Sequence, residues 1–158
     1  MNAARNNNTE VAKLLIAAGA NVNAGDKFGW TALINAAHYG HIETAKLLIA
    51  ADANVNARDK FSCTALLWAS KYGYIEFAKI LIAAGADVNT KNNYIGWTSL
   101  MLAVQNGHIG LANLLIDSGA KVSISLIFKI NHPNLYKTAV IGSATILGLG
   151  INYLIKRL

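Results

Sequence analysis

Apolar and polar positions along this chain fall into blocks that return about every 33 residues. One block is almost wholly apolar or small: "ALINAAHY" from Ala32, "ALLWASKY" from Ala65 and "SLMLAVQ" from Ser99. A threonine stands before each copy. Thr31 and Thr64 are 33 residues apart, and Thr64 and Thr98 are 34 apart, so one residue is inserted near Tyr94 or Ile95. A second block recurs between them as "AKLLIAAGANVNA" from Ala12, "AKLLIAADANVNA" from Ala45 and "AKILIAAGADVNT" from Ala78, with a fainter "ANLLIDSGAKVS" from Ala112. Self-similarity at this period predicts a solenoid of stacked units.

Residues 26–58 show what one unit is expected to build. The Thr31 hydroxyl can accept a bond from a free N–H of the first helical turn, which makes it an N-cap. Gly40 supplies the left-handed residue that ends the helix. A second helix is expected from about His41 to Ala51, with Ile42, Ala45, Leu48 and Ile49 on one face. Glu43 lies in its first turn, where the helix dipole favours negative charge. The segments between units should run out and back as turns or hairpins. Two short helices cannot bury their apolar faces alone, but stacked copies can. Small residues at Ala36, Ala37, Ala69 and Ala103 should let the first helices lie close together.

These residues carry a resemblance. Asp26, Gly29, Thr31, Leu33, Ala36, Ala37, Gly40, His41 and Glu43, followed by Leu47, Leu48, Val55 and Asn56, resemble the repeating pattern of ankyrin repeat proteins. The resemblance covers roughly residues 1–123. It implies an all-α ankyrin solenoid of helix-turn-helix units joined by β-hairpin-like turns. The divisions are a partial or capping repeat at 1–25 and full repeats at 26–58, 59–91 and 92–123. A basic apolar linker (124–137) and an apolar C-terminal helix (138–155) follow. The family's Thr-Pro-Leu-His core reads TALI, TALL and TSLM here, so Ile34, Leu67 and Met101 should replace histidine hydrogen bonds with apolar packing. Asp52 stands where Gly85 and Gly119 end other helices, a less favourable left-handed residue. Gly110 replaces the glutamate of an earlier helix start. Ala3 and Ala4 align with Ala36 and Ala37, and Asn7 with Gly40. The first unit is thus expected to be an N-terminal cap, or the chain a truncated copy of a longer array.

The resemblance also implies where a protein partner docks, on hairpin tips and the concave ends of the first helices. Those slots hold Lys27, Phe28 and Trp30, then Lys60, Phe61 and Cys63, then Asn93, Tyr94 and Trp97. At the helix ends they hold His38 with Tyr39, Lys71 with Tyr72, and Gln105 with Asn106. Large rings with few rotamers dominate interface hot spots, and the interleaved lysines favour an acidic partner. For Phe28 and Phe61, packing on the next hairpin and exposure stay open. Trp30, Trp97, Tyr39 and Tyr72 are expected exposed; Trp68, inside the first helix, could line the groove, with core packing the favoured role.

Charge changes the picture only at the C-terminal end. The net charge is +6. Residues 1–118 hold nine Lys or Arg and all eight acids, whereas Lys121, Lys129, Lys137, Lys156 and Arg157 follow with no acid. The repeats lack the basic stripe of a nucleic-acid binder, so no nucleic acid is expected. A lone cysteine, Cys63, excludes a disulfide framework and fits a reducing compartment. No cleavable signal peptide is expected. His38, His41, His108 and His132 form no zinc pattern. No phosphate loop or metalloprotease motif occurs. No metal, cofactor, small-molecule substrate or catalytic residue is expected.

The stretch 138–155, "TAVIGSATILGLGINYLI", carries no charge over 18 residues. At about 1.5 Å per residue it could just cross a hydrocarbon core of about 30 Å. Three readings stand: a single-pass anchor holding the repeats on a cytoplasmic face, an apolar helix capping the last repeat, or a disordered or frameshifted end. The function expected is a protein-binding module tethered to a membrane. The alternative is a soluble adaptor or inhibitor whose C-terminal helix caps the solenoid.

Overall fold

The computed structural model describes residues 1–94 and 96–122. The described chain is helical, with helices in pairs: α1 (Asn2–Arg5) and α2 (Thr9–Ala17), α3 (Ala32–Tyr39) and α4 (Ile42–Ala50), α5 (Ala65–Tyr72) and α6 (Ile75–Ala83), α7 (Ser99–Gln105) and α8 (Ile109–Asp117). No strand forms among the described residues. The expected hairpins are turns closed by single backbone bonds. The candidate helix at 138–155 and most of the linker lie outside the described residues. Among the described residues, no helix is long and apolar enough to cross a membrane.

Capping sets the helix boundaries. The hydroxyls of Thr31, Thr64 and Thr98 accept from the backbone N–H of Ile34, Leu67 and Met101 at 3.3, 3.4 and 3.3 Å. Each satisfies a donor that an uncapped first turn would leave free. Gly40 and Gly73 end α3 and α5 in the left-handed region, both at φ 75°. Asn7 and Asp52 adopt the same region at φ 53° and 62°, as their alignment with glycines predicts. Ser62, at φ 56°, is a further non-glycine there, in the slot that Gly29 and Gly96 fill elsewhere.

First helices stack on first helices, and second helices on second helices, with the first-helix row in more extensive contact. Ala36, Ala37, Ala69 and Ala103 are fully buried in that row. Their small side chains allow the close approach. Ile34, Leu67 and Met101 are buried, as apolar replacements for histidine require. Phe77 and Leu81 of α6 fill the centre of the core.

Side chains stitch the units along the axis. Asn23 Nδ2 donates to the Asp52 carbonyl at 3.2 Å, while its Oδ1 accepts from Asn54 N at 2.7 Å. Asn56 repeats this with Gly85 and Asp87, and Asn89 with Gly119 and Lys121. His41 Nε2 donates to the Arg5 carbonyl at 3.0 Å, and His108 Nε2 to the Lys71 carbonyl at 3.2 Å. A carbonyl can only accept, so both rings carry their proton on Nε2. The first unit is less well covered. Leu15 is 46% exposed, whereas its counterparts Leu48, Leu81 and Leu115 are at most 3% exposed. Val11 and Leu14 are exposed beside it.

Gly73 packs against its neighbour more tightly than its cap role requires. A Cβ there would lie 2.5 Å from His108 Nδ1, whereas at Gly85, also left-handed, it would meet nothing within 4 Å. Gly85→Ala should therefore cost about 1 kcal/mol of backbone strain. Gly73→Ala should cost roughly 2–4 kcal/mol, because the ring must also be displaced. Urea denaturation of the two variants checks the difference.

Candidate functional site

The hairpin before each first helix is built by one side chain. Asp26 Oδ1 accepts from Phe28 N and Trp30 N at 2.8 and 2.9 Å. Asp59 Oδ1 accepts from Phe61 N and Cys63 N, both at 2.8 Å. In the third hairpin Asn92 takes the place of the aspartate and accepts from Trp97 N at 3.0 Å. The closing bonds are Asp26 N to Trp30 O, Asp59 N to Cys63 O and Asn92 N to Trp97 O. The last spans one more residue, which is the insertion found in the sequence. Neighbouring hairpins are tied by Lys60 N to Phe28 O and Asn93 N to Phe61 O, each at 3.0 Å.

This resolves the two readings of Phe28 and Phe61. Their carbonyls do the stacking, and their rings stand 50% and 56% exposed. Tyr94, at the tip of the third hairpin, is 79% exposed. Tyr39 and Tyr72 are exposed, as expected. Trp30 and Trp97 are not fully exposed; both are half-buried and pack on the core.

The first-helix ends of units two and three bring rings together around His38. Its ring centroid lies 4.7 Å from Tyr39, 4.9 Å from Trp68, 5.1 Å from Trp30 and 5.1 Å from Tyr72. Trp30 and Trp68 meet at 5.1 Å. Most of these contacts are tilted or edge-on, the geometry that ring quadrupoles favour. Trp68, expected in the core, is half-buried: it rests on the core and joins this cluster. Its Nε1–H is buried with no hydrogen-bond acceptor. Gln105 and Asn106 lie exposed at the end of the next first helix, outside the cluster.

Cations frame the rings. Lys71 Nζ sits 4.9 Å over the Trp68 ring and 5.4 Å over Tyr72, and the Arg5 guanidinium lies 5.9 Å over Tyr39. Arg5 was not among the expected residues. It occupies the slot of His38 and Lys71 in the first unit, and the repeat register points to it. At the tips Lys27 Nζ lies 5.0 Å over Phe28, and Lys60 is exposed. The acids are elsewhere. Glu10, Glu43 and Glu76 pair with Lys13, Lys46 and Lys79 on the second helices. Asp26 and Asp59 are used within their hairpins.

Burial first, then Lys71 and Arg5, lowers the proton affinity of His38 below its ordinary value. Burial, Tyr74 and Tyr39 raise that of the Tyr72 phenol. The Tyr72 hydroxyl and His38 Nδ1 share a hydrogen bond of 3.4 Å. Cys63 is half-buried, and burial and Asp59 push its thiol up to about 11. It is a poor nucleophile at neutral pH. No group of three metal-ligating side chains occurs among the described residues.

A family model of ankyrin repeats (3 copies) matches residues 1–92 and residues 64–125. No curated protein matches the chain.

Two outcomes follow from the protonation states. At pH 8 iodoacetamide should alkylate Cys63 on the order of 10²-fold more slowly than a free cysteine of pKa about 8.5, because so little thiolate is present. The unfolded chain binds a proton at residue 38 near pH 6.5, before the folded chain does. The contribution of His38 to stability is thus present above that pH. It is lost as pH falls through the window down to the folded value. His38→Asn should flatten the fall of the urea midpoint across that window.

Proposed function

The chain belongs to the ankyrin repeat family, and we propose that it binds an acidic protein partner on the ring cluster around His38. Ankyrin repeats are protein-interaction modules. The observation that carries the finer reading is the framing of an aromatic floor by Arg5 and Lys71. Neither cation has an ion-pair partner among the described residues, and each lies over a ring. A partner carboxylate can meet these cations at the rim while an apolar side chain covers Trp30, Tyr39, Trp68 and Tyr72. The rings already contact one another, so little rotamer freedom is lost on binding. Trp97, Gln105, Asn106 and the side of Cys63 extend the same face toward the third hairpin.

The uncharged run 138–155, outside the described residues, supports a tether that holds this binder at a membrane. Its length and its flanking Lys137, Lys156 and Arg157 are those of a short single span. Resistance of the full chain to carbonate extraction, lost on removing 138–158, is the expected outcome.

Tyr72→Ala and Lys71→Glu test the partner face. Tyr72 and Lys71 are exposed, so the melting temperature should move little. Partner affinity, measured by calorimetry with a captured partner, should fall by more than about 1 kcal/mol for each variant. Lower stability at unchanged affinity would assign the cluster to packing alone.

A further inference from the structure

The rings of this protein form two sets that differ in how they meet. Those around His38 touch one another. The tip rings, Phe28, Phe61 and Tyr94, stand 50%, 56% and 79% exposed, and no ring contact joins them among the described residues. The backbone bonds from Lys60 to Phe28 and from Asn93 to Phe61 hold the hairpins side by side. The three rings therefore project in a row from one edge of a rigid array.

Along that edge cations outnumber acids: Lys27, Arg58, Lys60 and Lys91 stand against Asp26 and Asp59. Lys27, Arg58, Lys60 and Lys91 are all exposed in the hairpin segments, and none has an ion-pair partner among the described residues. The two acids keep their charge but point into their own hairpins and pair with none of these cations. Asp26 Oδ1 takes two backbone N–H groups, and Asp59 is buried. The third hairpin carries Asn92 where an aspartate would add charge.

We propose that the hairpin edge is a peripheral lipid-binding surface for a membrane with anionic headgroups. Separated, protruding rings make no packed pocket, which a protein hot spot needs. A fluid headgroup layer needs no such pocket. It accepts aromatic rings one at a time at the depth of the interface. It attracts each nearby Lys or Arg when its headgroups are anionic. The four cations flank the three rings, so insertion of the tips brings the charges to the phosphate level. The inner face stays open for its protein partner, because it uses Arg5, Lys71 and the His38 cluster instead.

The test uses the full chain, with residues 138–155 in place, and vesicles of phosphatidylcholine alone or with phosphatidylserine. The wild-type chain should partition at least about tenfold more strongly onto the anionic vesicles. The combined variant Phe28→Ala, Phe61→Ala and Tyr94→Ala should lose about tenfold on the anionic vesicles. Lys27→Glu with Lys60→Glu should cut the anionic preference at least about tenfold and leave binding to the neutral vesicles as it was. That last comparison separates the tips from residues 138–155, because both substitutions leave the basic flanks Lys137, Lys156 and Arg157 in place. Tyr72→Ala should bind both vesicles as wild type does, so failure of the inner-face reading is read out separately. Circular dichroism confirms that the tip variants keep their helices. Equal wild-type binding to both vesicles overturns the proposal. So do tip variants that bind like wild type, or that lose a protein partner while vesicle binding holds.

Discussion

The close approach of the first helices is the constraint on which the rest of this structure depends. Alanines at Ala36, Ala37, Ala69 and Ala103 leave no room for anything between α3, α5 and α7, and they are fully buried. No single pair of eight-residue helices has an inner layer of its own. Each unit exists as a folded object only because the next one covers it. First helices contact one another more extensively than second helices do. At the C-terminal ends of α3 and α5 the rings of two units meet as one surface.

Division of labour among charges follows from the same geometry. The second helices face solvent and settle their charges locally, glutamate to lysine three residues on. Such exposed pairs add little stability, typically below about 1 kcal/mol. They keep Glu10, Glu43 and Glu76 on the second helices, away from the ring cluster. The hairpins spend their aspartates on backbone N–H groups. At the helix ends and tips, cations outnumber acids and stand beside rings.

Much of the fold was legible because it depends on local rules. The Thr31, Thr64 and Thr98 caps, the left-handed Gly40 and Gly73, and the strained Asp52 each follow from one residue and its immediate backbone. Burial of Ile34, Leu67 and Met101 followed from the repeat register. The ring cluster was legible only in part. Trp68 was placed in the core because its counterparts are Asn35 and Leu102, and nothing in a register says how far one unit is rotated on the next. In the structure the Trp68 ring lies 4.9 Å from His38 of the preceding unit. Trp30 and Trp97 were expected to be more exposed than they are, since a slot beside a cap does not reveal how far its ring packs on the core. The carbonyls of Phe28 and Phe61 join hairpins regardless of what their side chains do, so composition could not report it. Ser62 in a left-handed turn was missed for want of the glycine that marks it in the other units.

The asparagine ladder has a mechanical consequence. Asn23, Asn56 and Asn89 each clasp the backbone of the following unit by a donor and an acceptor at once. Tension applied along the solenoid loads these clasps in series, so the array fails at its weakest link rather than everywhere. That link is the first, where Asn23 holds a turn strained by Asp52 and where Leu15 lacks the cover its counterparts have. Pulled from its ends, the protein should peel from the first unit inward, and the His38 surface would survive until the second clasp lets go.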